Sequence, residues 1–219
     1  MNYESARKNL IEQHIRPWNV YNSDAINSLY KVPRENFVPL QYKKYAFSDF
    51  QVPLTYNDSM PSPMVEARIL QCAITENCGE VLEIGSGSGY MAALLAQMYK
   101  SVITVEINQN LIEKAQSNLK KNLIENIQVF QGDGLKSDSR WSKKKFDAIV
   151  ISGGVRNIPV HLEDSITPNG RIVAFLTNGP IMNVVIFKRN YGLGFSKKIV
   201  FETKVTYLSF ENLNEEFKF

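Results

Sequence analysis

The chain has 219 residues, a net charge of +3 and 44% hydrophobic residues, including twelve Phe and ten Tyr. That length and balance suit one globular domain with a full core, and so small a charge argues against nucleic acid as the partner. No apolar run approaches the roughly eighteen residues of a membrane helix, and the N-terminal stretch Met1–Arg7 lacks an apolar signal region, so a cytoplasmic protein away from membranes is expected.

Residues 3–15 read as a helix that breaks at Arg16-Pro17-Trp18. Ser23-Asp24 are candidate caps for a second helix ending before Val32-Pro33. Residues 33–63 are rich in Pro, Tyr and Asn and show no sustained period, which predicts irregular, lid-like structure. Pro63 suits the first turn of a helix running to about Ile74. Cys72 and Cys78 have no His or Cys partners at ligand spacing, so no metal is expected and the thiols read as free. His14 and His161 are isolated and read as surface or structural residues.

From residue 80 strands and helices alternate. Glu80–Ile84 (EVLEI), Ser101–Glu106 (SVITVE), Ile127–Gln131, Phe146–Ile151 and Gly170–Leu176 read as strands. Tyr90–Met98, Gln109–Asn122 and Pro159–Ile166 read as the intervening helices. Lys143-Lys144-Lys145, beside Arg140, reads as a solvated loop before a strand. Ser152-Gly153-Gly154-Val155 reads as a small-residue turn, and Asn183–Arg189 and Lys198–Leu208 as two closing β-runs around a turn at 190–194. The alternation predicts an α/β fold, a mostly parallel central sheet with helices on both faces and an antiparallel C-terminal edge.

Three motifs fall at strand C-termini, where open α/β sheets bind ligands. Gly85-Ser86-Gly87-Ser88-Gly89 follows the first strand at once, so the chain can turn tightly and a ligand can approach the backbone. Glu106 ends the next strand, where a carboxylate can accept from ribose hydroxyls. Asp133, within Gln131-Gly132-Asp133-Gly134, can accept from an adenine amino group, with the glycines leaving room for the ring. A plain turn is the alternative reading of that last segment.

This trio resembles the class I S-adenosylmethionine-dependent methyltransferases, with their Rossmann-like fold. Ile15-Arg16-Pro17, the run Val32–Pro39 (VPRENFVP), Ala46-Phe47-Ser48-Asp49, Val81–Tyr90 with Ala92-Ala93, Glu106, Gly132-Asp133-Gly134, Phe146-Asp147 and Ile158-Pro159 narrow the likeness to the protein-L-isoaspartate O-methyltransferases, over roughly residues 5–208. The resemblance implies a single domain over 1–219: an N-terminal helical and lid segment (1–78), a cofactor-binding core (79–176) and a β-rich substrate-side segment (177–219). It implies S-adenosylmethionine as cofactor and isoaspartyl residues of damaged proteins or peptides as methyl acceptors. Glu83, Gly85, Ser86, Gly87, Gly89, Glu106, Ile107, Asp133 and Gly134 are the implied cofactor contacts. Near the acceptor the chain departs from the family. Pro61 stands where a serine is usual, within Ser59-Met60-Pro61-Ser62-Pro63, so Ser59 and Ser62 become the candidate catalytic hydroxyls. The loop Val52–Asp58 and the end Thr206–Phe210 depart as well. A methyltransferase with a different acceptor, or a non-catalytic cofactor-binding relative, is the alternative.

Overall fold

A computed structural model describes residues 2–178, 181–190 and 194–208 of the chain. A seven-stranded sheet forms its centre. The strands are β3 (Glu80–Ile84), β4 (Ser101–Glu106), β5 (Ile127–Gln131), β6 (Phe146–Val155), β7 (Ile166–Asn178), β8 (Ile181–Asn190) and β9 (Gly194–Glu202). Their order is β5-β4-β3-β6-β7-β8-β9, parallel from β5 through β7 and antiparallel beyond it. The chain runs outward from β3 to β5, then crosses back to β6 on the other side of β3. The order therefore reverses beside the C-terminal end of β3, which opens a crevice there.

Alternating residues of the strands feed two cores. Val81, Val102, Ala148, Val150 and Val173 face α2 (Ser23–Lys31), α3 (Pro63–Ala73) and α4 (Tyr90–Leu95). Leu82, Ile84, Ile103, Ile149 and Ile151 face the other way, against Trp141 and Leu162 of α6 (Val160–Asp164). Burial on both faces is why these strands are apolar almost throughout, with Glu83 and Thr104 the buried polar exceptions inside β3 and β4. Helix α5 (Gln109–Lys121) lies beside β4 and β5.

Several boundaries differ from the sequence reading. The first helix, α1, is α-helical only over Tyr3–Leu10 and continues as a wider π-turn over Ile11–Ile15. Asn22, one residue before the expected caps, caps α2, its side chain accepting from the Asp24 and Ala25 N–H groups. The lid contains 3-10 turns at Arg34–Asn36 and Leu40–Tyr45 and a two-residue ribbon of β1 (Val52–Pro53) and β2 (Ser59–Met60). The expected turn at Ser152–Val155 is strand: β6 continues through it, with a register shift between Ile151 and Gly154 that absorbs the extra residues. The last β-run ends at Glu202, and beyond it, among the described residues, only Tyr207 makes a bridge, to Gly154. The expected turn at 190–194 lies partly outside the described residues, as do Ser209 and Phe210.

Candidate functional site

The crevice at the end of β3 contains a cavity of about 460 Å³, counting its open mouth. Its lining includes Leu54, Ser59, Met60 and Pro61 from the lid, Glu66 of α3, Glu83, Gly85, Ser86 and Gly87 from β3 and its turn, and Ser152 of β6. Gly85 and Gly87 adopt φ values of 93° and 52°, in the left-handed region that side chains disfavour. A Cβ on Gly85 would come within 2.8 Å of Leu208, and one on Gly87 within 3.3 Å of Leu54. The lid and the C-terminal segment therefore close directly onto the glycine turn.

Two carboxyls at this turn live in opposite environments. Glu106 Oε2 accepts from the Gly87 N–H at 3.0 Å, and Oε1 accepts from the N–H groups of Ile107 and Asn108 at 2.9 and 3.0 Å. N–H groups can only donate, so this shell uses the Glu106 carboxyl oxygens purely as acceptors. Glu83, fully buried on β3, is bonded by hydroxyls instead. Thr104 Oγ1 donates to its Oε2 at 2.6 Å and Ser152 Oγ to its Oε1 at 3.1 Å. Ser86 Oγ lies 2.6 Å from Thr104 Oγ1 and extends the chain. Burial pushes the Glu83 carboxyl up to about 8, against the pull of the two hydroxyls and with further push from Glu106 and Glu66.

Asp133 sits just past β5. Its Oδ1 accepts from the Leu135 N–H at 3.0 Å, and its Oδ2 is 3.3 Å from Lys136 Nζ at the surface. The backbone ties it to Glu106, because the Gly132 N–H donates to the Glu106 carbonyl at 2.9 Å. Its glycine neighbours serve protein packing. A Cβ on Gly134 would stand 2.6 Å from Ile84 Cγ2, and one on Gly132 would stand 3.0 Å from the Trp141 ring. Gly134 thus lets the Asp133 loop close against the end of β3. Gly89 is likewise a packing glycine. It opens α4 at φ 82°, with Ala115 of α5 3.3 Å from the position of a Cβ.

Glu83, Gly85, Ser86, Gly87 and Ser59 line the cavity itself. Glu106 is bonded to that lining through Gly87, Ile107 follows it with its side chain exposed, and Asp133 and Gly134 lie one strand further along the same rim. Ser62 is buried at the N-cap of α3, outside the lining, and caps nothing with its side chain. His14 and His161 are also outside the lining.

Sequence reasoning missed the groups that hold the lid. Arg34 of the VPRENFVP run is buried, and its guanidinium grips three segments. It donates to the Ala46 carbonyl at 2.8 Å, to the Pro61 carbonyl at 2.8 Å, and to the Glu66 carboxylate in a buried ion pair. It also lies over the Tyr90 ring at 5.2 Å. At the mouth, Ser59 Oγ donates to Gln51 Oε1 at 3.1 Å and lies 2.9 Å from Thr206 Oγ1. Gln51 Nε2 donates to the Lys204 carbonyl at 2.5 Å. Because Ser59 gives its proton to Gln51, the Thr206 hydroxyl is the donor between the two. Thr104 was legible in principle, as a polar residue inside the apolar run SVITVE. Gln51 and Thr206, 155 positions apart in sequence, carry no such signal.

Among the described residues there is no cluster of His, Cys, Asp and Glu fit for a metal, and no helix long and apolar enough to cross a membrane. The profile of the protein-L-isoaspartate(D-aspartate) O-methyltransferase family matches residues 5–211. A protein-L-isoaspartate O-methyltransferase of Gloeobacter violaceus is 34% identical over 165 residues, 75% of this chain and 79% of its own. One from Petrotoga mobilis is 30% identical over 175 residues, 79% of this chain and 81% of its own. The fold also matches a Plasmodium falciparum protein described as a protein-L-isoaspartate O-methyltransferase and solved with S-adenosyl-L-homocysteine, at a TM-score of 0.79 and 20% identity, over 95% of this chain and 99% of that one. A match spanning nearly the whole chain, glycine turn and lid included, establishes that the chain belongs to the protein-L-isoaspartate(D-aspartate) O-methyltransferase family.

Proposed function

We propose that the chain is a protein-L-isoaspartate O-methyltransferase, moving a methyl group from S-adenosylmethionine to the carboxylate of isoaspartyl residues in proteins. The observation that carries this is the corner formed by Gly85, Gly87, Glu83 and Glu106. Gly85 and Gly87 carry no side chains of their own, and two carboxyls flank them at the reversal point of the sheet. That donor set suits a cationic nucleoside. Gly85, Ser86 and Gly87 with Glu83 would hold the amino-acid end, Glu106 and Ile107 the sugar side, and Asp133 with Gly134 the base. When bound, the cofactor supplies a methyl group on a sulfonium, a good leaving centre.

The protein then has little proton chemistry to perform, since an acceptor carboxylate is already an anion at neutral pH. Its residues align and exclude water. Leu54 and Leu208 press on the glycine turn and close it from two sides. Ser59 and Thr206 present hydroxyls at the mouth, where the acceptor would enter. Pro61 lines the same wall and has neither hydroxyl nor N–H to offer, so a bond from this wall to the acceptor would come from Ser59, its proton turning from Gln51 to the acceptor carboxylate. Ser62 would contribute only after a local shift of the turn before α3. The alternative, a methyltransferase with another acceptor, rests on the departures at Pro61, in the loop Val52–Asp58 and at the end Thr206–Phe210.

The test is methyl transfer from labelled S-adenosylmethionine to an isoaspartyl peptide, with the aspartyl isomer as control. Turnover of the first alone is expected. No turnover at high enzyme concentration, with cofactor binding intact, would move the assignment to another acceptor.

A further inference from the structure

The cavity is walled by carboxyls whose cationic partners are unevenly shared. Glu66 of α3 has Arg34. Glu106 has three backbone N–H groups. Glu83 has hydroxyls only, from Thr104 on β4 and Ser152 on β6, and the charges that act on it from neighbouring elements are Glu106 and Glu66. Tyr90 of α4 lines the same cavity, with Arg34 over its ring. An ionised carboxylate at 0% exposure, facing two other acids, is poorly compensated.

Hydroxyls also differ from N–H groups in one useful way: they can donate or accept. Around an ionised Glu83, Ser86 donates to Thr104 and Thr104 to the carboxylate. Around a protonated Glu83, the carboxyl O–H donates to Thr104 and Thr104 to Ser86. Every heavy atom stays in place while the polarity of the chain reverses. The shell of Glu106 allows no such reversal, because its three partners are N–H groups that only donate.

We propose that Glu83 is a neutral acid in the free protein and gives up its proton when the cationic cofactor enters the cavity, so that cofactor capture is coupled to proton release. The bookkeeping is one carboxyl O–H broken, one carboxylate formed and one proton passed to solvent, with the cofactor supplying the missing positive charge. The coupling goes beyond the function proposed above but rests on its cofactor assignment.

Titration calorimetry of S-adenosylmethionine at pH 7 tests it, using buffers of different ionisation enthalpy. With the Glu83 carboxyl held at about 8 by burial, the free protein is roughly nine-tenths protonated at that pH. Wild type is expected to release close to one proton more than Glu83→Gln, whose amide preserves shape and neutral charge. Equal release by both proteins overturns the coupling. Failure of wild type to bind the cofactor in any buffer overturns the cofactor reading instead.

The free protein gives a second readout. A carboxyl raised in the fold favours folding at low pH, and that contribution fades as pH climbs from the unfolded value of 4.5 to about 8. Urea unfolding should therefore show Glu83→Gln matching wild type at pH 4 and surpassing it at pH 8.5. A Glu83→Gln protein that loses stability equally at both pH values overturns the proposal, because it would mean the native carboxyl is ionised throughout.

Discussion

The Gly87 N–H donates to the Glu106 carboxylate across 3.0 Å, joining the turn after β3 to the end of β4. The bond sets the shape of the glycine turn before any ligand arrives, and it holds the Glu106 side chain at the edge of the cavity. Removing that carboxylate should both loosen the turn and strip the sugar site of its acceptor. Glu106→Ala is expected to weaken S-adenosylmethionine binding by about 1–3 kcal/mol, roughly fivefold to more than a hundredfold in Kd. Asp133→Ala should fall in the same range. Titration calorimetry showing parent-like affinity for both would remove these residues from the site.

Gly134 makes a different demand. A methyl group there would stand 2.6 Å from Ile84 Cγ2 and 3.0 Å from Cγ1, in a core with no room to yield. Gly134→Ala should cost about 1–3 kcal/mol of stability by overpacking and should displace the Asp133 loop from the rim. Denaturant unfolding with parallel cofactor titration checks both. An unchanged midpoint would show that the loop relaxes away from β3 at little cost.

Arg34 and Glu66 form a buried pair that secures the lid to α3. Arg34→Met leaves Glu66 without its partner and releases the Ala46 and Pro61 carbonyls. Burial already pushes Glu66 up to about 8, so the orphaned acid can take a proton, and the loss should sit near the low end of the usual range, about 3 kcal/mol. Pairing it with Glu66→Leu should recover part of that loss. Urea midpoints of the two variants decide the matter, and a double variant weaker than Arg34→Met would show that Glu66 has a role beyond the pair.

Pro61 offers a gain of function. Its carbonyl is held by Arg34 whatever the side chain, so Pro61→Ser can add a hydroxyl to the cavity wall without releasing the turn. One added hydrogen bond to the acceptor carboxylate should raise kcat/KM on an isoaspartyl peptide by about tenfold, the equivalent of 1.4 kcal/mol. Steady-state methylation kinetics would show it. A fall in kcat/KM would mean that the proline shapes this wall for the acceptor.

The one-dimensional pattern announced much of this architecture. A run such as AIVI is apolar at every position, and VLEI at every position but Glu83, because both faces of the strand are buried, and that condition is written locally. So is the left-handed glycine turn after β3, since few other residues tolerate its backbone. Position at strand ends also put Glu106 at the end of β4 and Asp133 just past β5, on the side of the sheet that carries the glycine turn. Tertiary structure alone decided which glycines face the cavity and which face protein. Gly85 and Gly87 line it, whereas Gly89, Gly132 and Gly134 make way for Ala115, Trp141 and Ile84. It alone joined Ser59 to Gln51 and Thr206, and gave Arg34 its grip on Ala46, Pro61 and Glu66. Periodicity and turn chemistry are properties of neighbours along the chain. The protonation of Glu83 and the closure of the lid depend on groups that meet only once the sheet has formed, and no local pattern encodes such meetings.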